Sequence, residues 1–583
     1  MSISNIEKIN DIFKLPIFYN DKKMGLNKSI IDDLELVKTV DPSCNPMYEN
    51  AFQPKTCFGA KLMEQIPTYY TTDQQFLEDS KTLLKTYTSY VEKDSSNIDF
   101  NEILFIWDEI KNDTGFKEKY HYIDWPMWEF LNKSDGFLQI MSIYNLASPV
   151  LSLFVPIIIL IIPFFVIKAK GMRISILEYT DILKQIASNH AVGKLFTQFN
   201  NVKTDEKVYL LLSAAFYAFS IYQNILTCYR FHQNMFKIHS HLNIIKNYIS
   251  KTETSMKNLL TFTTSLSSYN TFNDNLTIRL AVLSDFKVLL ERITPYKLST
   301  SKIGELGHVL KCFYDVYSND SYNDAFLYSF GFNGYIDSIE GLINNISCGK
   351  INFSKFTNKK KKSLFKNAYY PALINNPVKN TYKFKKSMII TGPNASGKTT
   401  ILKSALINVI ITQQFGCGFY DSAILCPFKF IHCYLNIPDT SGRDSLFQAE
   451  ARRCKNILDI IHTNEKDTHF CVFDELYSGT NPDEAVMSAL AFMKYLVKYK
   501  NINCILTTHF IQLCNELEKN KYIKNYHMNT TPNPKQNQQN DFNYNYLLKK
   551  GISTVRGGIK VLSDMDYPKE IIENTLNYKK DCN

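Results

Sequence analysis

A lysine and a threonine closing a glycine-bounded loop, two adjacent acids and one histidine are the groups in this chain whose types and spacing could do chemistry. The loop reads Thr391-Gly392-Pro393-Asn394-Ala395-Ser396-Gly397-Lys398-Thr399-Thr400 and fits G-x-x-x-x-G-K-[ST]. Such a loop wraps phosphates with its backbone, and the helix that follows adds its positive N-terminal pole. Gly392, Pro393, Asn394, Ala395, Ser396 and Gly397 would form the cradle, with Thr400 at the start of the helix. Lys398 would reach the β- and γ-phosphates of ATP, and Thr399 would ligand Mg²⁺. Further on, Asp474-Glu475 closes the apolar run Phe470-Cys471-Val472-Phe473. The first acid is placed to hold Mg²⁺, the second to polarise the attacking water. His509 follows another apolar run, Cys504-Ile505-Leu506-Thr507-Thr508, and could contact the γ-phosphate. In isolation, an Asp-Glu pair reads as a solvated loop and a glycine-rich turn as a turn. The shared order and spacing of these groups oppose both readings.

These groups need a strand–loop–helix and two further strands to hold them. Ser387-Met388-Ile389-Ile390 is the strand before the loop, and Ile401-Leu402-Lys403-Ser404-Ala405-Leu406 is helix-forming. The apolar runs before Asp474 and His509 predict buried strands ending at the same edge.

The phrases TGPNASGKTT, FDELYSGTNPDEA (Phe473 to Ala485) and TTHF (Thr507 to Phe510) resemble the ABC-type ATPase domain of MutS proteins, used in DNA mismatch recognition. Asn380 stands where the family keeps an asparagine, and Ser445-Leu446-Phe447-Gln448-Ala449-Glu450 resembles its S-x-F-x-x-E signature. Lys524 to Met528, Tyr546 to Ser553 and Gly558 to Leu562 resemble its closing segments. The resemblance covers about residues 364–583 and extends faintly through Ala325 to Asn333. It implies head-to-tail pairing of two ATPase domains in a homodimer, with Ser445 completing the partner's site in trans. The residues alone also allow Ser445 to be a helix cap with Gln448 as its capping-box partner. DNA is the partner the resemblance implies. Mismatch-reading members carry a Gly-x-Phe-[Tyr/Phe]-Glu wedge, of which Phe76-Leu77-Glu78 is the nearest fragment here. The residues before the ATPase are too few for the family's full set of domains, so a shortened relative that does not read mismatches directly is expected.

Ahead of the ATPase, no charge falls between Ala147 and Ile167, a run of about 30 Å at about 1.5 Å per residue, the thickness of a bilayer core. Lys168, Lys170 and Arg173 follow. Pro156 and Pro163 are tolerated in membrane helices. A second run, Val208 to Cys228, is softened by Ser213, Ser220, Gln223 and Asn224 and flanked by Arg230 and Lys237. A two-helix membrane hairpin with both ends on the ATPase side competes with a pair of buried helices. Against the hairpin, its 168–207 loop is lysine-rich, contrary to the positive-inside tendency.

The expected organisation is multidomain. Residues 1–146 form an N-terminal helical region and 147–228 the candidate hairpin. Lever helices at 229–347, a lysine-rich linker at 348–363 around Lys359-Lys360-Lys361-Lys362, and the ATPase at 364–583 follow. The N-terminal and lever regions are predicted all-α, the C-terminal domain α/β. Asn529 to Asn545 reads as a flexible tip between closing strands. A net charge of +10 is compatible with nucleic acid or an anionic membrane and decides between neither. Scattered cysteines without C-x-x-C and the lack of an N-terminal apolar signal favour an intracellular, reducing location. If anchored, the ATPase would face cytosol or nucleoplasm. Three functions compete: a MutS-like DNA-binding ATPase, a membrane-anchored ATPase with a non-DNA partner, and an ABC transporter subunit. The last lacks an L-S-G-G-Q signature and has too few candidate spans.

Overall fold

The computed structural model describes residues 5–91, 99–171, 175–189, 203–297, 299–359, 362–435, 445–532, 542–553, 555, 557–572 and 574–575. The chain divides into two compact units. One comprises Asn101–Thr254 and Leu280–Phe326, the other Ile3–Phe100, Ser255–Arg279 and Leu327–Asn583.

Among its described residues, the regular elements of the first unit are all helices. Its helices form because apolar residues recur at helical spacing: Phe100–Asn112 buries Ile103, Ile106, Trp107 and Ile110. Phe116 stacks on Tyr122 and Tyr317, with ring centroids 5.6 and 4.1 Å apart, and the buried Tyr122 hydroxyl donates to Leu310 O at 2.7 Å. Ser134 caps the Asp135–Ala169 helix by accepting from Phe137 N. Thr204–Thr263 is one continuous helix. The predicted apolar runs 147–167 and 208–228 are therefore segments of longer helices, and the second continues without a break into the predicted lever.

The second unit opens with a small antiparallel pair, β1 (Lys23–Gly25) and β2 (Tyr69–Thr71). The expectation of an all-α N-terminal region is corrected here, because three-residue strands are too short to register as an alternating pattern. The boundary expected at residue 146 is also displaced, since Ile3–Phe100 belongs to the same unit as residues 364–583.

The remaining strands form two sheets. They are β3 (Asn352–Phe356), β4 (Leu364–Ala368), β5 (Asn380–Lys383), β6 (Ser387–Thr391), β7 (Cys417–Gly418), β8 (Ser422–Leu425), β9 (Phe430–Tyr434), β10 (His469–Asp474), β11 (Ile502–Thr508), β12 (Ile523–Pro532) and β13 (Phe542–Lys550). One sheet runs β5-β4-β8-β3-β7 and the other β13-β12-β6-β11-β10-β9. In the second sheet every pair is parallel except β12–β13, the arrangement expected of an α/β nucleotide-binding domain. β3 corrects the predicted 348–363 linker: Ile351 is fully buried and β3 pairs with β7 and β8. The lysine run hid a strand beside it, and Lys360 and Lys361 lie outside the described residues. Residues 533–541 of the predicted tip also lie outside them, between β12 and β13.

The P-loop helix, Lys398–Phe415, is buried along most of its length. It begins at Gly397 and ends at Gly416, with φ +88° and +72°, left-handed values that glycine adopts at little cost. Near its end two buried amides meet the N-terminal segment. Gln413 donates to Thr71 O, Gln414 donates to Ile66 O and Tyr69 O, and Tyr48 donates to Gln414 Oε1 at 2.7 Å. Polar groups in so dry a place must be paired, so this network ties residues 3–100 to the far end of the helix that begins at the P-loop.

Candidate active site

Three adjacent parallel strands bring the catalytic candidates together. β11 lies between β6 and β10, with Thr508 in register with Thr391 and Thr507 with Asp474. The loop at 392–397, the pair Asp474-Glu475 and His509 all follow the carboxyl ends of these strands.

Lys398 is buried, and its Nζ donates to Gly392 O at 3.3 Å and Pro393 O at 3.2 Å. Burial pushes its pKa down, against the pull of Glu475 and then Asp474. Glu475 Oε1 lies 2.7 Å from His509 Nε2 and 3.9 Å from Lys398 Nζ. His509 Nε2 is also 3.3 Å from Lys398 Nζ. One ring nitrogen can serve a carboxylate as donor or an ammonium as acceptor, never both at once, and the shorter contact makes Glu475 its partner. The hydrogen bond from His509 holds the Glu475 carboxyl below its usual range despite partial burial, so Glu475 is an anion at neutral pH.

Asp474 is held from two sides. Thr399 Oγ1 donates to its Oδ2 at 2.7 Å, and Thr507 Oγ1 donates to its Oδ1. A hydroxyl and a carboxylate this close match the donor set Mg²⁺ uses beside phosphates, where it keeps most of its waters. Ser396 supplies a second test of fit for a nucleotide: its Oγ is buried and makes no hydrogen bond. The loop leaves that hydroxyl free for a phosphate oxygen. Backbone strain gathers here, with Ala395, Glu475 and Tyr477 at φ +60°, +50° and +60°. Non-glycine residues take such values at a cost, and they cluster at ligand sites.

A cavity of about 620 Å³ opens along the loop, within the range of small-molecule sites. Asn394 to Thr400 and Glu475 form one wall, while Tyr370, Leu373, Val378 and Tyr546 form an apolar, aromatic one. On the other side of the loop, Gly392, Pro393 and Asn394 line a second cavity of about 490 Å³ with Thr508 and His509. Asn380 pins the neighbouring strand by donating to Tyr546 O and accepting from Leu548 N.

Ser445 lines neither cavity. It caps the helix Leu446–Thr463 in a complete capping box, accepting from Gln448 N at 3.3 Å while its own N–H donates to Gln448 Oε1 at 2.9 Å. The capping expectation is met, and within one chain Ser445 is not brought to the loop of Lys398. Glu450, one turn on, is buried and accepts from Ser478 N and Oγ and from Gly479 N. It therefore fastens the signature helix to the segment just after Glu475. Sequence reading named Glu450 and Thr507 only as parts of phrases and missed Tyr370 and Val378 altogether. Thr507 carried a signal, a hydroxyl at the end of an apolar strand, whereas the cavity wall carried none.

Comparison with known proteins agrees with this geometry. Residues 388–582 match the family described as MutS domain V. The chain is 30% identical over 200 residues to the DNA mismatch repair protein Msh3 of Dictyostelium discoideum, covering 33% of this chain and 14% of that one. It is 29% identical over 199 residues to the human MutS protein homolog 4, covering 33% and 21%. The DNA mismatch repair protein MutS of Oceanobacillus iheyensis is 27% identical over 202 residues, covering 34% and 22%. The matches thus span less than a quarter of each of these relatives. Residues 388–582 resemble MutS domain V, the part these relatives share with the chain.

Proposed function

We propose that the chain is a Mg²⁺-dependent ATPase that binds DNA and works as a homodimer. The observation that carries this reading is the convergence of Lys398, Thr399, Asp474, Glu475 and His509 on three adjacent strand ends of a MutS domain V. ATP lies along the 620 Å³ cavity, its base against Tyr370 and Val378 and its phosphates in the loop. Lys398 leaves the loop carbonyls for the β- and γ-phosphates, and Thr399 and Asp474 would hold Mg²⁺, which would neutralise charge developing on the phosphates. Glu475 accepts a hydrogen bond from the attacking water and orients it in line with the γ-phosphorus. A carboxylate of depressed pKa is a weak base, and a loose phosphoryl transition state asks mainly for orientation and charge stabilisation. His509 holds Glu475 in place and presents its ring to the γ-phosphate. The capped N-terminus of the Ser445 helix lines neither cavity of its own chain's loop among the described residues, and it completes the γ-phosphate shell of the partner's site.

The DNA reading rests on the family and on relatives named for mismatch repair. With no recognisable wedge, contacts fall on backbone and shape. Titration of the full chain with homoduplex, single-mismatch and branched DNA, at two salt concentrations, tests this. The expected result is equal affinity for homoduplex and mismatch, tighter binding to branched DNA, and log affinity falling linearly with log salt. A clear preference for the mismatch overturns the claim about base reading, and no binding to any DNA at low salt removes DNA as the partner. The full chain is required, because residues 3–100 are part of the ATPase unit.

A further inference from the structure

We propose that residues 147–167 and 208–228 form a helical hairpin inserted in a lipid bilayer, a role separate from ATP hydrolysis and DNA binding. The two helices run antiparallel: Tyr217 donates to Ser152 O at 3.2 Å, and the Cys228 thiol to Leu146 O at 3.7 Å. Their lower parts are rooted in the first unit. Leu138, Ser142 and Asn145 are buried on one helix, Phe231 and Met235 on the other, and Gly307 N–H donates to Gln139 Oε1. Beyond Leu146 and Cys228 the pair leaves the helical body.

What emerges is apolar, and its described side chains are largely uncovered. The most apolar window of the Thr204–Thr263 helix has a mean hydropathy of 1.3 and only 6% of it is buried, the reverse of a soluble core helix. For the Asp135–Phe154 stretch, most of which lies in the rooted part, the values are 1.4 and 22%. Leu153, Phe154, Leu211, Leu212, Phe216 and Phe219 are all exposed, Phe216 to 71%. Tyr209 and Leu211 lie about 160° apart around this helix at about 100° per residue, with Leu212 and Phe216 between them, so the exposed arc is wider than the stripe a second protein helix would cover. The length committed to this surface, about 30 Å at about 1.5 Å per residue, is that of a bilayer core.

The ends carry interfacial groups. Tyr144, Tyr229 and Arg230 are exposed at the base, Lys168 and Lys170 at the tip. The first helix also runs unbroken across Pro149, Pro156 and Pro163. In a water-exposed helix each interior proline costs about 3 kcal/mol, whereas in hydrocarbon the helix has no competing solvated state. These features identify lipid, rather than another copy of the chain, as the covering partner. The tip lysines then face phosphate head groups.

The test uses the full chain recovered from cells. It is expected to stay with membranes through an alkaline carbonate wash, to need detergent for release, and to float with neutral phosphatidylcholine vesicles in high salt. A variant combining Phe216→Glu with Phe219→Glu changes only exposed side chains. It is expected to move most of the protein into the alkali-soluble fraction with its helical content by circular dichroism unchanged. Release of the parent chain by alkali, flotation only with anionic vesicles at low salt, or a monodisperse detergent-free oligomer would each overturn the proposal. None of these readouts depends on ATP or DNA, so either reading can fail alone.

Discussion

Purified chain carrying Lys398→Ala is expected to hydrolyse ATP at least about a hundredfold more slowly than the parent, the scale of losing one preorganised charge from a transition state. Lys398 is buried and its ammonium is held by two carbonyls of its own loop, within reach of Glu475 and His509. Alanine takes the ammonium from both carbonyls, Pro393 O keeping its bond from Ser396 N, and removes the positive charge meant for the β- and γ-phosphates. The Thr399–Asp474 hydrogen bond does not involve Lys398, so the folded state should survive, as a thermal melt would report. Steady-state phosphate release measures the effect. A parental rate in this variant would mean that the loop at 391–400 is not where ATP reacts.

Glu475→Gln should separate binding from chemistry. The amide keeps the size of the carboxylate and can still accept a hydrogen bond from His509, so the φ +50° backbone and the Thr507 O contact of Glu475 N have no reason to change. The charge that polarises the attacking water is lost. Hydrolysis is expected to fall by about 10²–10⁴-fold, the usual worth of a positioned acid–base group, while a labelled ATP analogue binds as before. The ATP-bound dimer should accumulate, visible as a nucleotide-dependent shift in sedimentation. Equal loss of binding and turnover would assign Glu475 to holding the loop instead.

Much of the candidate site was legible in the sequence because its signals are contiguous. The loop from Thr391 to Thr400 needs only local backbone geometry, and Asp474 and His509 each end an apolar run. What could not be read is what distant segments supply. Glu450 meets Ser478 and Gly479 only because a helix folds back on a strand end. The apolar wall at Tyr370 and Val378 carries no pattern apart from its place beside the loop. The N-terminal segment was opaque for a related reason. Gln413 and Gln414 look like ordinary polar residues closing a helix, and only packing turns them into buried anchors for Thr71, Ile66 and Tyr69. β3 went unseen because four lysines beside it set the character of the window, although Ile351 just before it is fully buried. The two apolar runs were found by composition, but composition could not tell a buried helix from an uncovered one. Exposure of Leu211, Leu212, Phe216 and Phe219 shows that the second run is uncovered.

The claim at the centre of this account is that hydrolysis needs two chains, Lys398 from one and Ser445 from the other. Its most direct test mixes two inactive proteins, one carrying Lys398→Ala and one carrying Ser445→Arg, under conditions where subunit exchange is shown by differential labelling. In a mixed dimer one site holds both lesions and the other holds neither, so phosphate release should reappear, rising with the mixed fraction. Demonstrated exchange with no recovered hydrolysis would contradict a site shared between chains.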